Sequence, residues 1–135
     1  MRKKYRKDRY NTKGEMYNGE IQINMEGDKS RLKKVRITAM KQTIYHDLIE
    51  EYENPIQHAC DMKVGQVFIA DGWKKPDGMC DSAWESMSAF VMTLAHGGEN
   101  LYDGWMKNRK AAMISCNDGF RPVSFYIEAL DEDAG

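Results

Sequence analysis

The sequence predicts an α+β domain: a small antiparallel sheet with one long and one short helix packed on it. Three observations carry that expectation. Apolar residues alternate with period two in separate segments, one stretch between Ser82 and Leu94 carries a helical stripe, and Asn117-Asp118-Gly119 joins two apolar runs in the manner of a hairpin. The order is strand, short helix, strand, long helix, hairpin, and a sheet with helices on one face is the simplest way to bury those stripes.

The first strand is expected in "KKVRITAMKQTI", where Val35, Ile37 and Ala39 share one face of an extended chain. In "YHDLIEEYENP", Tyr45, Leu48, Ile49 and Tyr52 recur at i, i+3, i+4, i+7 and Asn54-Pro55 ends the pattern, which reads as a two-turn amphipathic helix. "KVGQVFIADG" turns at Val64-Gly65 into a strand through Val67 and Ile69. Ser82 and Glu85 form an S-x-x-E capping box, and the stripe of Ala83, Met87, Phe90, Val91 and Leu94 runs to a stop at Gly97-Gly98. "AAMISC" and "RPVSFYIEAL" complete the hairpin around "NDGF".

With 135 residues and 41% hydrophobic content, the chain suits one domain with a modest core. Residues 33–131 are expected to hold it. Residues 1–32 are basic and lack apolar periodicity, reading as mostly disordered apart from a short edge strand in "GEIQINMEG". Residues 132–135 read as an acidic tail. No apolar run reaches the length of a membrane helix and no signal core follows the basic start, so a cytoplasmic protein without a membrane partner is expected. "MRKKYRKDRY" interleaves Tyr5 and Tyr10 with cations, but the rest lacks a matching basic stretch, so nucleic acid is not the expected partner. A homo-oligomer or a protein partner remains.

Three cysteines form an odd set, and each has a carboxylate within two residues: "HACDM", "GMCDSAW" and "SCNDG". Each falls at the end of an expected element, where loops display functional groups. Asp61, Asp81 and Asp118 raise the pKa of neighbouring thiols and oppose a lone nucleophile. A bound cation reverses that logic, because a metal stabilises thiolates while carboxylates orient a ligating histidine. The candidate ligands are therefore Cys60, Cys80, Cys116 and His58, with His96 as the second choice for the fourth position, and the candidate cofactor is zinc or an iron–sulfur cluster. A redox or nucleophilic thiol, with Cys80 near a helix start, is the parallel reading. Packing is the third, since free cysteines are among the most buried side chains.

Trp73, Trp84 and Trp105 are candidates to wall a pocket over the cysteines, and Lys74, Lys75, Arg109, Lys110 and Arg121 to meet an anion there. No Ser-His-Asp order, paired-carboxylate motif or H-E-x-x-H stretch points to a hydrolase, and "HGGEN" lacks the setting of a phosphate loop.

From "VRITAM" onward, "C-x₃-VGQVF", "GMCDSAW", a helix ending in "GG" and "CNDGFRPVSFYIEA" resemble a family of small prokaryotic proteins with no assigned reaction. The likeness covers roughly residues 34 to 130 and implies a shared site at Cys60, Cys80 and Cys116, without extending to His58 or His96. A metal or redox site is the function expected. The alternative is a non-catalytic binding or accessory module with a structural cysteine cluster.

Overall fold

Period-two alternation sets the sheet. In the computed structural model, which describes residues 32–135, β1 (Lys33–Gln42) buries Val35, Ile37 and Ala39 completely, while Met40 on the opposite face is exposed. β2 (Val67–Ala70) and β4 (Val123–Asp133) pair antiparallel with its two edges, and β3 (Ala111–Ser115) pairs with β4, giving the order β2-β1-β4-β3. One row crosses all four strands: Phe68 faces Ile37, Ile37 faces Ile127, and Ile127 faces Ala112. A slip of one residue would turn this row to water, so burial pins the register.

The long helix α2 (Asp81–Ala95) covers that row, burying Ala83, Met87, Val91, Leu94 and Ala95. Phe90 lies at the flank of the stripe, packing against Tyr102 with ring centroids 6.1 Å apart. At its end Gly97 takes φ 91°, and Gly98 N–H reaches back to the Thr93 carbonyl. The capping box does not form. Cys80 is the N-cap and makes no side-chain cap hydrogen bond, so the N-cap falls two residues before the expected Ser82. Ser82 lies inside the first turn, where its hydroxyl meets the cysteine sulfur rather than an N3 amide.

The short helix α1 (His46–Tyr52) forms where its stripe predicts but buries none of its residues, and Tyr52 is 73% exposed. The chain leaves β1 alongside the β3–β4 connection, with Thr43 N–H on the Pro122 carbonyl and Tyr45 N–H on that of Phe120. This places α1 beside that connection instead of on the sheet face.

β4 runs past the expected domain end. Asp133 pairs with Lys33 at 2.6 Å and Glu132 with Lys34 at 3.4 Å, so residues 132–133 are strand, and Ala134 N–H bonds the Leu32 carbonyl. The acidic residues find two lysines across the ladder and form no free tail. The expected disorder of residues 1–31 and the expected strand at 19–27 lie outside the described residues. Among the described residues, no helix is long and apolar enough to cross a membrane.

Candidate functional site

Each cysteine reaches its position by a different local route. Cys80 is fixed by the start of α2. Cys116 begins the β3–β4 connection, where its N–H bonds the Val123 carbonyl and Val123 N–H returns to its sulfur at 3.3 Å. Asp118 closes this connection by accepting Phe120 and Arg121 N–H groups at 2.8 and 3.1 Å, so the turn spans residues 116–122 and is longer than a two-residue hairpin. Cys60 lies in the irregular segment after α1, with Met62 N–H on its sulfur at 3.4 Å.

The three routes end at one cavity. It measures about 360 Å³, and Cys60, Cys80, Cys116, His58, Asp61 and Asp118 all line it. Met62, Val123 and Phe125 supply apolar wall, Phe125 being fully buried. Residues separated along the chain thus share a pocket, and each cysteine sulfur in it has a hydrogen-bonding neighbour.

The electrostatics of Cys80 follow from its place at the start of α2. Its pKa is lowered, first by the Ser82 hydroxyl 3.4 Å away and then by the Ala83 peptide N–H, against partial burial. The helix starts closer to Cys80 than the Ser82 capping box implies, and the opposing charge of Asp81 does not control the thiol. As the N-cap, Cys80 meets the unpaired amides of the first turn, and Asp81 is the weakest of the influences on it. Asp81 is itself bonded to Lys75, which holds its carboxyl below the usual range and offsets its charge.

His58 Nε2 lies 2.5 Å from Asp61 Oδ1, both side chains largely exposed at the cavity mouth. The carboxylate fixes the imidazole through Nε2, and Nδ1 has no partner among the described residues, the arrangement by which carboxylates orient ligating histidines. His96 is at the wrong end of the molecule. It caps the C-terminus of α2, about 22 Å of helix away from Cys80, and its Nδ1 bonds the Met92 carbonyl. Among the described residues, no three His, Cys, Asp or Glu side chains gather closely enough to hold a metal ion. The sulfurs share a cavity without a ready coordination sphere.

None of the tryptophans lines the cavity. Trp84 packs against the core, Trp73 is exposed, and Trp105, 84% exposed, leans on Tyr102 with the rings tilted by 38°. Of the cations, Lys75, Arg109 and Arg121 are engaged by Asp81, Glu99 and Glu53. The last pair escaped sequence reasoning. Arg121 grips Glu53 through two bonds of 2.7 and 3.1 Å, with side chains only 18% and 15% exposed, and Glu53 holds the guanidinium pKa above its ordinary range. Nothing in the sequence links positions so far apart.

No family model matches this chain, and no curated protein or solved structure is similar to it.

Proposed function

We propose that the cavity is a thiol-redox centre acting on small disulfides, with Cys80 as the attacking thiolate and Cys60 or Cys116 as the resolving thiol. The observation that carries this reading is that all three cysteines line one cavity, with Cys80 at the N-cap of α2, where the Ser82 hydroxyl and the Ala83 peptide N–H lower its pKa. The Cys80 thiolate attacks one sulfur of a disulfide RSSR and expels RS⁻, which takes up a proton, leaving a mixed disulfide in the cavity. A second cysteine thiol loses its proton, attacks the Cys80 sulfur and releases the other half as RSH. The substrate disulfide is reduced to two thiols, and two protein thiols are oxidised to one disulfide. A cytoplasmic location belongs to this reading, because a reducing compartment returns the cysteines to thiols.

Glutathione disulfide is the test probe. Added to reduced protein and followed by mass spectrometry, it is expected to load Cys80 first and then give an internal disulfide, with no such sequence in Cys80→Ser. Capture at Cys80 no faster than in the urea-unfolded chain would overturn the reading.

A second reading, a zinc or iron–sulfur site on the same thiols, draws support from the His58–Asp61 pair and from the amide donors to the sulfurs of Cys60 and Cys116. Stoichiometric zinc retained by anaerobically purified protein, and lost in Cys116→Ser, would favour it. The partner-binding alternative is favoured if neither chemistry is found and triple Cys→Ser protein associates normally.

A further inference from the structure

The cavity has one wall without secondary structure. Residues 54–62 carry His58, Cys60, Asp61 and Met62 to the cavity, and among the described residues their hydrogen bonds stay within the segment. The segment is instead held at its two ends. Downstream, Gly65 N–H bonds the Ala39 carbonyl at 2.7 Å and Ala39 N–H returns to Gln66 at 2.9 Å, tying the chain to β1. Upstream stands Glu53, the C-cap of α1, in the two-bond grip of Arg121. Arg121 belongs to the connection that begins with Cys116, and Asp118 accepts its peptide N–H. The pair therefore joins the Cys60 segment to the Cys116 turn.

Resting on the thiol-site reading above, we infer that the Glu53–Arg121 ion pair is a clamp that positions Cys60 opposite Cys116 and Cys80, Arg121 acting as a positioning residue. The planar guanidinium binds the carboxylate through two parallel bonds, which fixes direction as well as distance; lysine offers one point charge and fixes only proximity. The pair is also largely withdrawn from water, so salt screens it weakly. With the upstream end released, what still opposes local opening among the described residues is the downstream tie to β1 and the packing of Cys60 and Met62 against the core. The clamp thus governs how long Cys60 spends within reach of the other two sulfurs.

The test compares iodoacetamide alkylation rates of the three cysteines in the reduced full-length protein, resolved by peptide mass spectrometry. In Arg121→Ala and Glu53→Gln, Cys60 is expected to react about tenfold faster while Cys80, held by α2, keeps its rate. Arg121→Lys should fall between, and the charge swap Glu53→Arg with Arg121→Glu should restore slow reaction. Arg109→Ala, which breaks the exposed pair with Glu99, controls for loss of a surface ion pair and should leave Cys60 unchanged. Unchanged Cys60 rates in Glu53→Gln, or equal acceleration of all three thiols, would overturn the clamp. The outcome is separable from the redox reading. A protein inert to glutathione disulfide whose Cys60 still responds to the clamp variants keeps the clamp and loses the reaction, and the converse pattern does the opposite.

Discussion

The cavity is built from two kinds of wall. On one side, Cys80 and Cys116 hang from regular structure: the first turn of a helix with five buried residues, and a turn closed onto the end of a fully paired strand. On the other, Cys60 and His58 sit in a segment that, among the described residues, is hydrogen-bonded to the rest of the fold at its ends alone. The fixed wall can set a thiol's pKa, because the donors to Cys80 come from the same turn that positions it. The hung wall can change its distance from the first without disturbing the sheet. A site whose chemistry needs one activated sulfur and a second that approaches it uses both properties.

The comparison breaks most visibly if the core under the fixed wall is removed. Phe125 is fully buried, faces Ile114 across the hairpin and lines the cavity. Phe125→Ala is expected to cost about 3–5 kcal/mol of global stability, measured by urea unfolding, because the transfer loss and the new void add. Met62 on the hung wall packs against the same core but is only partly buried. Met62→Ala should cost less, about 1–2 kcal/mol, since a segment held at its ends can collapse into the space. Equal losses at the two positions would mean that the walls are one mechanical unit.

The difference also shows in native-state hydrogen exchange. Amides of residues 125–127 lie in a strand paired on both sides and should exchange only through opening near the global unfolding free energy. Amides of residues 57–61 should exchange orders of magnitude faster, and faster still in Arg121→Ala. Slow exchange across 57–61 would contradict a wall hydrogen-bonded to the fold at its ends alone.

Much of this architecture was legible and some of it was not, for physical reasons. The strands around Val35 and Val123 and the stripe of α2 follow from burial, which writes its period into the sequence, whereas β2 forms where expected but buries Phe68 and Ala70 and leaves Val67 and Ile69 exposed. The start of α2 differs because Ser82 and Glu85 satisfy the letter pattern of a capping box, whereas the helix begins at Asp81 with Cys80 as its N-cap. The stripe on α1 was real as a pattern, yet its surroundings are set by pairing of residues 43–45 with 120–122, which no local signal announces. The three cysteines could be placed at element ends from sequence. Their meeting at one cavity depended on the β1–β4 pairing, and the Glu53–Arg121 contact on the same long-range closure.

A smaller effect tests the electrostatics of the fixed wall. Because the Ser82 hydroxyl is the leading cause of the lowered Cys80 pKa, Ser82→Ala should move that pKa up toward the ordinary thiol value. Less thiolate is then present at neutral pH, and alkylation of Cys80 should slow by about threefold while its rate at high pH, where both forms are ionised, stays nearly the same. Cys60 and Cys116 supply the internal reference. A shift of all three profiles together would point to loosening of the fold instead of loss of one donor.

The smallest expected effect concerns Asp81, which by sequence alone looked like the chief obstacle to a reactive Cys80. Its carboxylate does raise the thiol pKa, so Asp81→Asn should lower it and speed alkylation at neutral pH. The sign is fixed by charge, but the size is limited by geometry. The carboxylate is exposed to water and already bonded to Lys75, which takes up most of its field. The acceleration should stay within about twofold, well under the Ser82 effect, because donors in contact with sulfur outweigh a screened charge beside it. An Asp81→Asn rate increase larger than the Ser82→Ala decrease would reverse that order and place control of Cys80 in the surface charges of the loop rather than in the first turn of the helix.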